Sequence, residues 1–197
     1  MSAGRVGAVI AVGGVIALAA CSTGANPPDE SSSSSPAQVA SPIPPVKDPR
    51  DVAALARRPC ELLTVQQAMQ FGLDRPPRQY DAGLGDLGCE WTTTTSERET
   101  IRTVSVSTFT NNPTLEVAYT KDRNRPSFEL TEIAGYPAIV SRTNADLPIC
   151  DIDVKPAERQ SFTLTYDAKE FRKNPEQSCE LAKRVAAVVL MNLPPKS

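Results

Sequence analysis

Apolar side chains recur along this chain in several rhythms, and each rhythm predicts a different kind of segment. From Val6 to Ala20 fifteen consecutive residues are uncharged and small or apolar, behind a start that carries Arg5. That run is too short to span a bilayer comfortably and has the layout of a secretory signal. From Ser22 to Lys47 the pattern almost disappears: six prolines and many serines leave too little apolar surface to offset the entropy of ordering. Beyond residue 48 the apolar positions return, first at helical spacing, then in alternation, and finally at helical spacing again.

Asp48-Pro49 with Val52, Leu55 and Ala56 predicts a short helix that Pro59 ends. Thr64-Val65-Gln66-Gln67 has capping-box spacing and predicts a second one over about 65–71, stopped by Gly72. Residues 73–87 read as a turn-rich loop. Strands follow over 88–93 and 100–109, joined by residues 95–99, with Cys89 and Trp91 on one face and Val104 and Val106 on another shared face. Asn112-Pro113 opens a predicted helix through Leu115, Val117, Ala118 and Tyr119, with a basic end at Lys121–Arg125. Four strands come next: 128–133 and 136–142 around Gly135, 149–155, and 160–166. In the third, Cys150, Ile152 and Val154 are expected to point inward and Asp151, Asp153 and Lys155 outward to solvent. In the fourth, Phe162, Leu164 and Tyr166 point inward. Asn174-Pro175 starts a closing helix with Cys179, Ala182, Val185, Ala186, Val189 and Leu193 on its apolar stripe, and Pro194-Pro195 ends it. This order predicts an α+β domain, an antiparallel sheet with helices packed on one face.

The cysteines sharpen the picture. Leu18-Ala19-Ala20-Cys21 is what a lipoprotein signal needs: the thiol of Cys21 takes a diacylglyceryl group, the peptide before it is cut, and acyl chains such as palmitate form the anchor. Residues 1–20 are then a signal peptide, 21–48 a lipidated, disordered tether, and 49–197 one globular domain. The tether reaches roughly 30 Å as a coil and about 80 Å as a polyproline-like spacer. With Cys21 lipidated, Cys60, Cys89, Cys150 and Cys179 form an even set, which in an exported chain reads as two disulfides. Three connectivities are open. Cys60 with Cys89 and Cys150 with Cys179 is the favoured one, because each pair encloses the same length of chain and joins a cysteine near a helix to one on a strand.

Charge and chemistry then remove functions rather than add them. Against 23 acidic residues stand 21 basic ones, 20 without Arg5, so nothing marks a nucleic-acid surface. The absence of histidine excludes Ser-His-Asp and Cys-His catalysis. No Cys-x-x-Cys pair suggests zinc, and no phosphate loop or Gly-x-Ser-x-Gly occurs, so neither metal, cofactor nor catalytic residue is assigned. Asp151 and Asp153, the charges at Glu97, Arg98 and Glu99, and the run Ser31 to Ser35 read as solvated surface and linker. Trp91, Tyr136 and Tyr166 read as core packed near a disulfide rather than as an aromatic ligand patch.

Pro59-Cys60-Glu61-Leu62-Leu63-Thr64, Gly88-Cys89-Glu90-Trp91, Gly135-Tyr136-Pro137-Ala138, Cys150 and Cys179 together resemble the actinobacterial secreted lipoproteins grouped as domain of unknown function 3558, over roughly residues 49–194. The resemblance implies a lipid-anchored cell-envelope protein and brings no activity. The functional expectation is a non-catalytic binding or accessory module, held on the extracytoplasmic face of the cell membrane through Cys21. Its partner would be an envelope protein or a small ligand. The alternatives are a carboxylate-dependent hydrolase of cell-wall glycans and a structural or sensory partner of a membrane protein complex.

Overall fold

The structure, a computed structural model, describes residues 41–94, 100–111, 114–125 and 127–197. Cys21, the serine run, Glu97, Arg98 and Glu99, and Asn112 and Pro113 lie outside the described residues. Seven strands form one antiparallel sheet: β1 (Arg78–Gly83), β2 (Asp86–Thr94), β3 (Thr100–Phe109), β4 (Glu129–Ile133), β5 (Tyr136–Ser141), β6 (Ile149–Ala157) and β7 (Gln160–Ala168). Their spatial order is β1-β2-β3-β7-β6-β5-β4. Two meanders, β1 to β3 and β4 to β7, are thus fused by the pairing of β3 with β7, which runs from Arg102 opposite Ala168 to Phe109 opposite Ser161. Among the described residues the α-helices are α1 (Val65–Gln70), α2 (Thr114–Asp122) and α3 (Glu176–Asn192). The fold is α+β.

The register gives the sheet two unlike faces, since directly paired residues point the same way. Trp91, Val104, Tyr166 and Cys150 lie in one line across four strands, and Cys89, Val106, Leu164, Ile152 and Val140 in the next. All are buried, and α3 covers them with Ala182, Val185, Ala186, Val189 and Leu190. The opposite face carries Ser107, Thr163, Asp153 and Ile139 in one line and Ser105, Thr165, Asp151 and Ser141 in another.

Helix α2 lies on this second face, where Leu115 and Ala118 pack with Ile139 and Ile43. The expectation that all helices share one face therefore holds for α1 and α3 but not for α2. Topology is the reason. Strands β3 and β4 run in the same direction but sit four strand spacings apart, about 19 Å, so the connection must cross β7, β6 and β5 to reach the far edge. The same placement overturns the solvent-facing reading of Asp153 and Lys155, which are 8% and 7% exposed beneath the helix.

Both disulfides pair as the spacing suggests, Cys60 with Cys89 and Cys150 with Cys179, each with Cα atoms 5.1 Å apart. The first ties a 3-10 turn, Pro59–Leu62, to β2, and the second ties α3 to β6. Thr64 and Gln67 form the capping box at α1, and Gly72 supplies the left-handed stop at φ +71°. Ala134 and Gly135, at φ +51° and +84°, make the two-residue reversal between β4 and β5.

Three further segments differ from expectation. Residues 49–58 form turns instead of a helix: Val52 N–H, which would bond Asp48 O in a helix begun at Pro49, bonds Gln160 Oε1, and Asp48 O accepts from the Tyr136 hydroxyl. The loop over 73–87 contains β1 and the start of β2. Ile43, which sequence places in the tether, is buried in the cluster with α2.

Replacing Cys150 or Cys179 with Ala is expected to lower stability by about 2 to 5 kcal/mol, read as a fall in the thermal midpoint. Cys60 and Cys89 should stay oxidised by thiol counting. An unchanged midpoint would contradict the pinning of α3 by this bridge.

Candidate functional site

Two concave regions stand out among the described residues, one apolar and one polar. The apolar groove, about 240 Å³, lies between α1 and the proline pair that leads into β1. Helix α1 is too short to bury all its apolar residues. Ala68 turns into the core, while Val65 and Met69, four residues apart and so on one stripe, are 67% and 62% exposed. Pro76 and Pro77 form part of the facing wall, with Leu73 and Trp91 lining the groove as buried residues and Asp74 and Arg75 at its polar margin.

The segment after α1 is fastened from several sides. Arg75 N–H donates to Thr92 O and its Nε to Thr94 Oγ1 at 2.8 Å. The Thr93 hydroxyl donates to Gly72 O, and Arg102 donates to Phe71 O while pairing with Glu170. Behind the groove, Cys89 stands two residues from Trp91 and carries the bridge to Cys60. The groove wall is therefore preorganised, and its free surface is apolar.

The three aromatic residues that sequence singles out are packed, as expected. Trp91, Tyr166 and Tyr136 are 1%, 0% and 7% exposed. Tyr136 donates its hydroxyl to Asp48 O at 2.7 Å and accepts from Arg50 Nε at 3.1 Å, so it fastens the N-terminal segment. Burial pushes the Tyr166 phenol up to about 12, which keeps it neutral. Trp91 alone combines core packing with a place in the groove.

The polar pocket, about 310 Å³, lies where α2 crosses β6 and β7. Asp151 Oδ1 accepts from Thr165 Oγ1 at 2.7 Å, and Asp153 Oδ1 accepts from the Thr163 hydroxyl. Arg125, just beyond α2, places Nε 2.9 Å from Asp122 Oδ1, an ion pair whose N–H does not point at the oxygen, and Nη1 3.8 Å from Asp151 Oδ2. Next along β6, Lys155 Nζ reaches Glu116 Oε1 at 2.8 Å and Glu158 Oε1 at 3.1 Å. Burial alone would push that ammonium's pKa down, but the two carboxylates more than offset it.

Asp153 is the perturbed acid of the set. Burial, opposed by the Thr163 hydroxyl and reinforced by Asp122 and Asp151, pushes it up to about 6. Three carboxyl groups thus face one guanidinium. Sequence reasoning found Asp151 and Asp153 as a pair, but Asp122 and Arg125 join them only through the crossing of α2, which no local pattern reveals. Among the described residues, no group of three or more His, Cys, Asp or Glu side chains is arranged to hold a metal ion, and no helix is long and apolar enough to cross a membrane.

Comparison with curated proteins and with solved structures gives no match. A family model, Protein of unknown function (DUF3558), matches residues 16–192 and so takes in both disulfides, the groove and the polar pocket. The chain belongs to the DUF3558 family.

Proposed function

We propose that this chain is a lipid-anchored extracytoplasmic binding module of the cell envelope, non-catalytic, whose ligand lays an apolar group into the groove between α1 and Pro76-Pro77. The observation that carries the reading is the exposure of Val65 and Met69 beside a formed apolar cavity that Trp91 lines. Exposed apolar side chains at a concave, rigidly held site favour a ligand that removes them from water, at roughly 25 cal/mol per Å² of apolar surface. The apolar run before Cys21 and the Ser/Pro-rich stretch after it support the anchor and the tether.

A second reading rests on the polar pocket. Asp151 and Asp153, two apart on a strand face, are about 6.5 to 7 Å apart along it, within the range of two-acid glycan hydrolases. One of the two has its pKa pushed up to about 6, as a general acid requires. It ranks second because Asp153 is 8% exposed beneath α2 and Asp151 is held by Thr165 and Arg125. Release of reducing ends from wall glycan, lost in Asp151→Asn, would move it to first place.

The binding reading has a built-in reporter, since Trp91 is the chain's single tryptophan. Titration with a brominated long-chain fatty acid should quench its fluorescence saturably, and Met69→Glu, a change at an exposed position, should weaken that at least about tenfold. Quenching that is absent, or equal in both proteins, would contradict the groove as the binding site. For the anchor, Cys21→Ser should leave the protein either uncut or released into the medium. A processed Cys21→Ser protein that stays with membranes after a carbonate wash would overturn the lipid attachment.

A further inference from the structure

Helix α2 sits on the sheet through two kinds of contact. Its apolar contact is built around Ile43, Leu115, Ala118 and Ile139, with the partly buried Tyr119, Phe128 and Leu130 packed against them. The remaining contact is charged and partly enclosed. From α2 come Asp122, 5% exposed, together with Glu116 and the more exposed Lys121; from the turn after it comes Arg125. Strand β6 presents Asp151, Asp153 and Lys155, and Lys155 is already committed to Glu116 and Glu158. Strand β7 adds the Thr163 and Thr165 hydroxyls, and β5 adds Ile139 and Ser141 without charge. Among the described residues, Asp122, Asp151 and Asp153 share the pocket with two cations, Arg125, which pairs with Asp122 and Asp151, and the exposed Lys121 at its rim. A buried carboxylate with no cation of its own is costly in its charged form. Either a proton or separation of the two surfaces relieves it.

We propose that α2 is a pH-responsive cover on the polar face of the sheet, seated when the carboxyl cluster beneath it holds a proton and loosened when it does not. Asp153 is the group that takes the proton: among the described residues it pairs with no cation and accepts only from the Thr163 hydroxyl, and the repulsion of Asp122 and Asp151 is opposed by Arg125 without an ion pair. Its folded value of about 6 lies above the ordinary value of 3.8. Seating α2 therefore takes up a proton, so the stabilisation is complete below about pH 4 and is lost as the pH rises through about 6. Loosening opens the pocket that holds Asp151 and Asp153 and uncovers the apolar residues under the helix. Helix α3, fixed by the Cys150–Cys179 bridge on the other face, has no such cluster and does not respond.

Amide hydrogen exchange on the full-length protein tests this, with rates corrected for the intrinsic effect of pH. From pH 5 to pH 8 the protection of residues 114–122 should fall about tenfold, the factor given by linkage for a shift from 3.8 to about 6. Protection of 176–192 should stay constant. Asp153→Asn, which stays neutral at every pH, should hold α2 equally protected at both. A wild-type α2 whose protection matches at pH 5 and pH 8 overturns the proposal whatever the variants do, and so does a folded Asp153→Asn protein that keeps the full pH dependence. Should that variant fail to fold, Asp122→Asn removes one repelling charge and should reduce the pH dependence; an undiminished response counts against the cluster as its source.

Discussion

The pairing of β3 with β7 is the constraint on which the rest of the molecule depends. Each meander alone would be a three- or four-stranded sheet with little to bury against. Joined along eight residue pairs, they present one continuous apolar face, wide enough for α3 to cover. The same pairing sends β4 to the far edge, and the chain between β3 and β4 can then only pass across the sheet. Because α3 already occupies the apolar face, α2 takes the polar one. A helix is thereby seated on threonines and carboxylates, and the charge cluster follows from the topology.

The two disulfides divide their work along the same lines. Cys150–Cys179 holds the covering helix to the second meander, and Cys60–Cys89 holds the turn before α1 to the first, beside the groove that Trp91 lines. The groove is thus built on the disulfide-linked part of the first meander, whereas the polar pocket is closed by a helix that no covalent bond secures. The proposed binding role rests on the first of these and the proposed pH response on the second.

Much of the fold was legible in the sequence where burial writes a period into it. Strands β2, β3, β6 and β7 alternate in sequence because one face of each packs on the main core, β5 is a short run buried on both faces, and α3 repeats at helical spacing because one stripe of it is buried. The capping box of Thr64 and Gln67 and the cysteine pairing were legible for the same local reasons. Strand β1 was not, since Arg78–Gly83 is an edge strand in which only Tyr80 and Ala82 are even half-buried, among prolines and glycines that read as turns. Residues 49–58 have helical spacing but turn structure, because Gln160 and Tyr136 take the Val52 N–H and Asp48 O that would make the first helical hydrogen bond. Asp153 and Lys155 alternate as a solvent face would, and only the path of α2 buries them. The groove was invisible for a similar reason: Val65, Met69, Pro76, Pro77 and Trp91 come from three separate segments.

The register between the meanders can be measured directly by interstrand nuclear Overhauser effects in isotope-labelled protein. Contacts are expected between Ser105 and Thr165 and between Ser107 and Thr163, in line with those of Asp151 with Thr165 and Asp153 with Thr163. A register displaced by one residue would turn Val104, Val106, Leu164 and Tyr166 to the opposite face, and that result, or the absence of any β3 to β7 contact, would contradict this pairing.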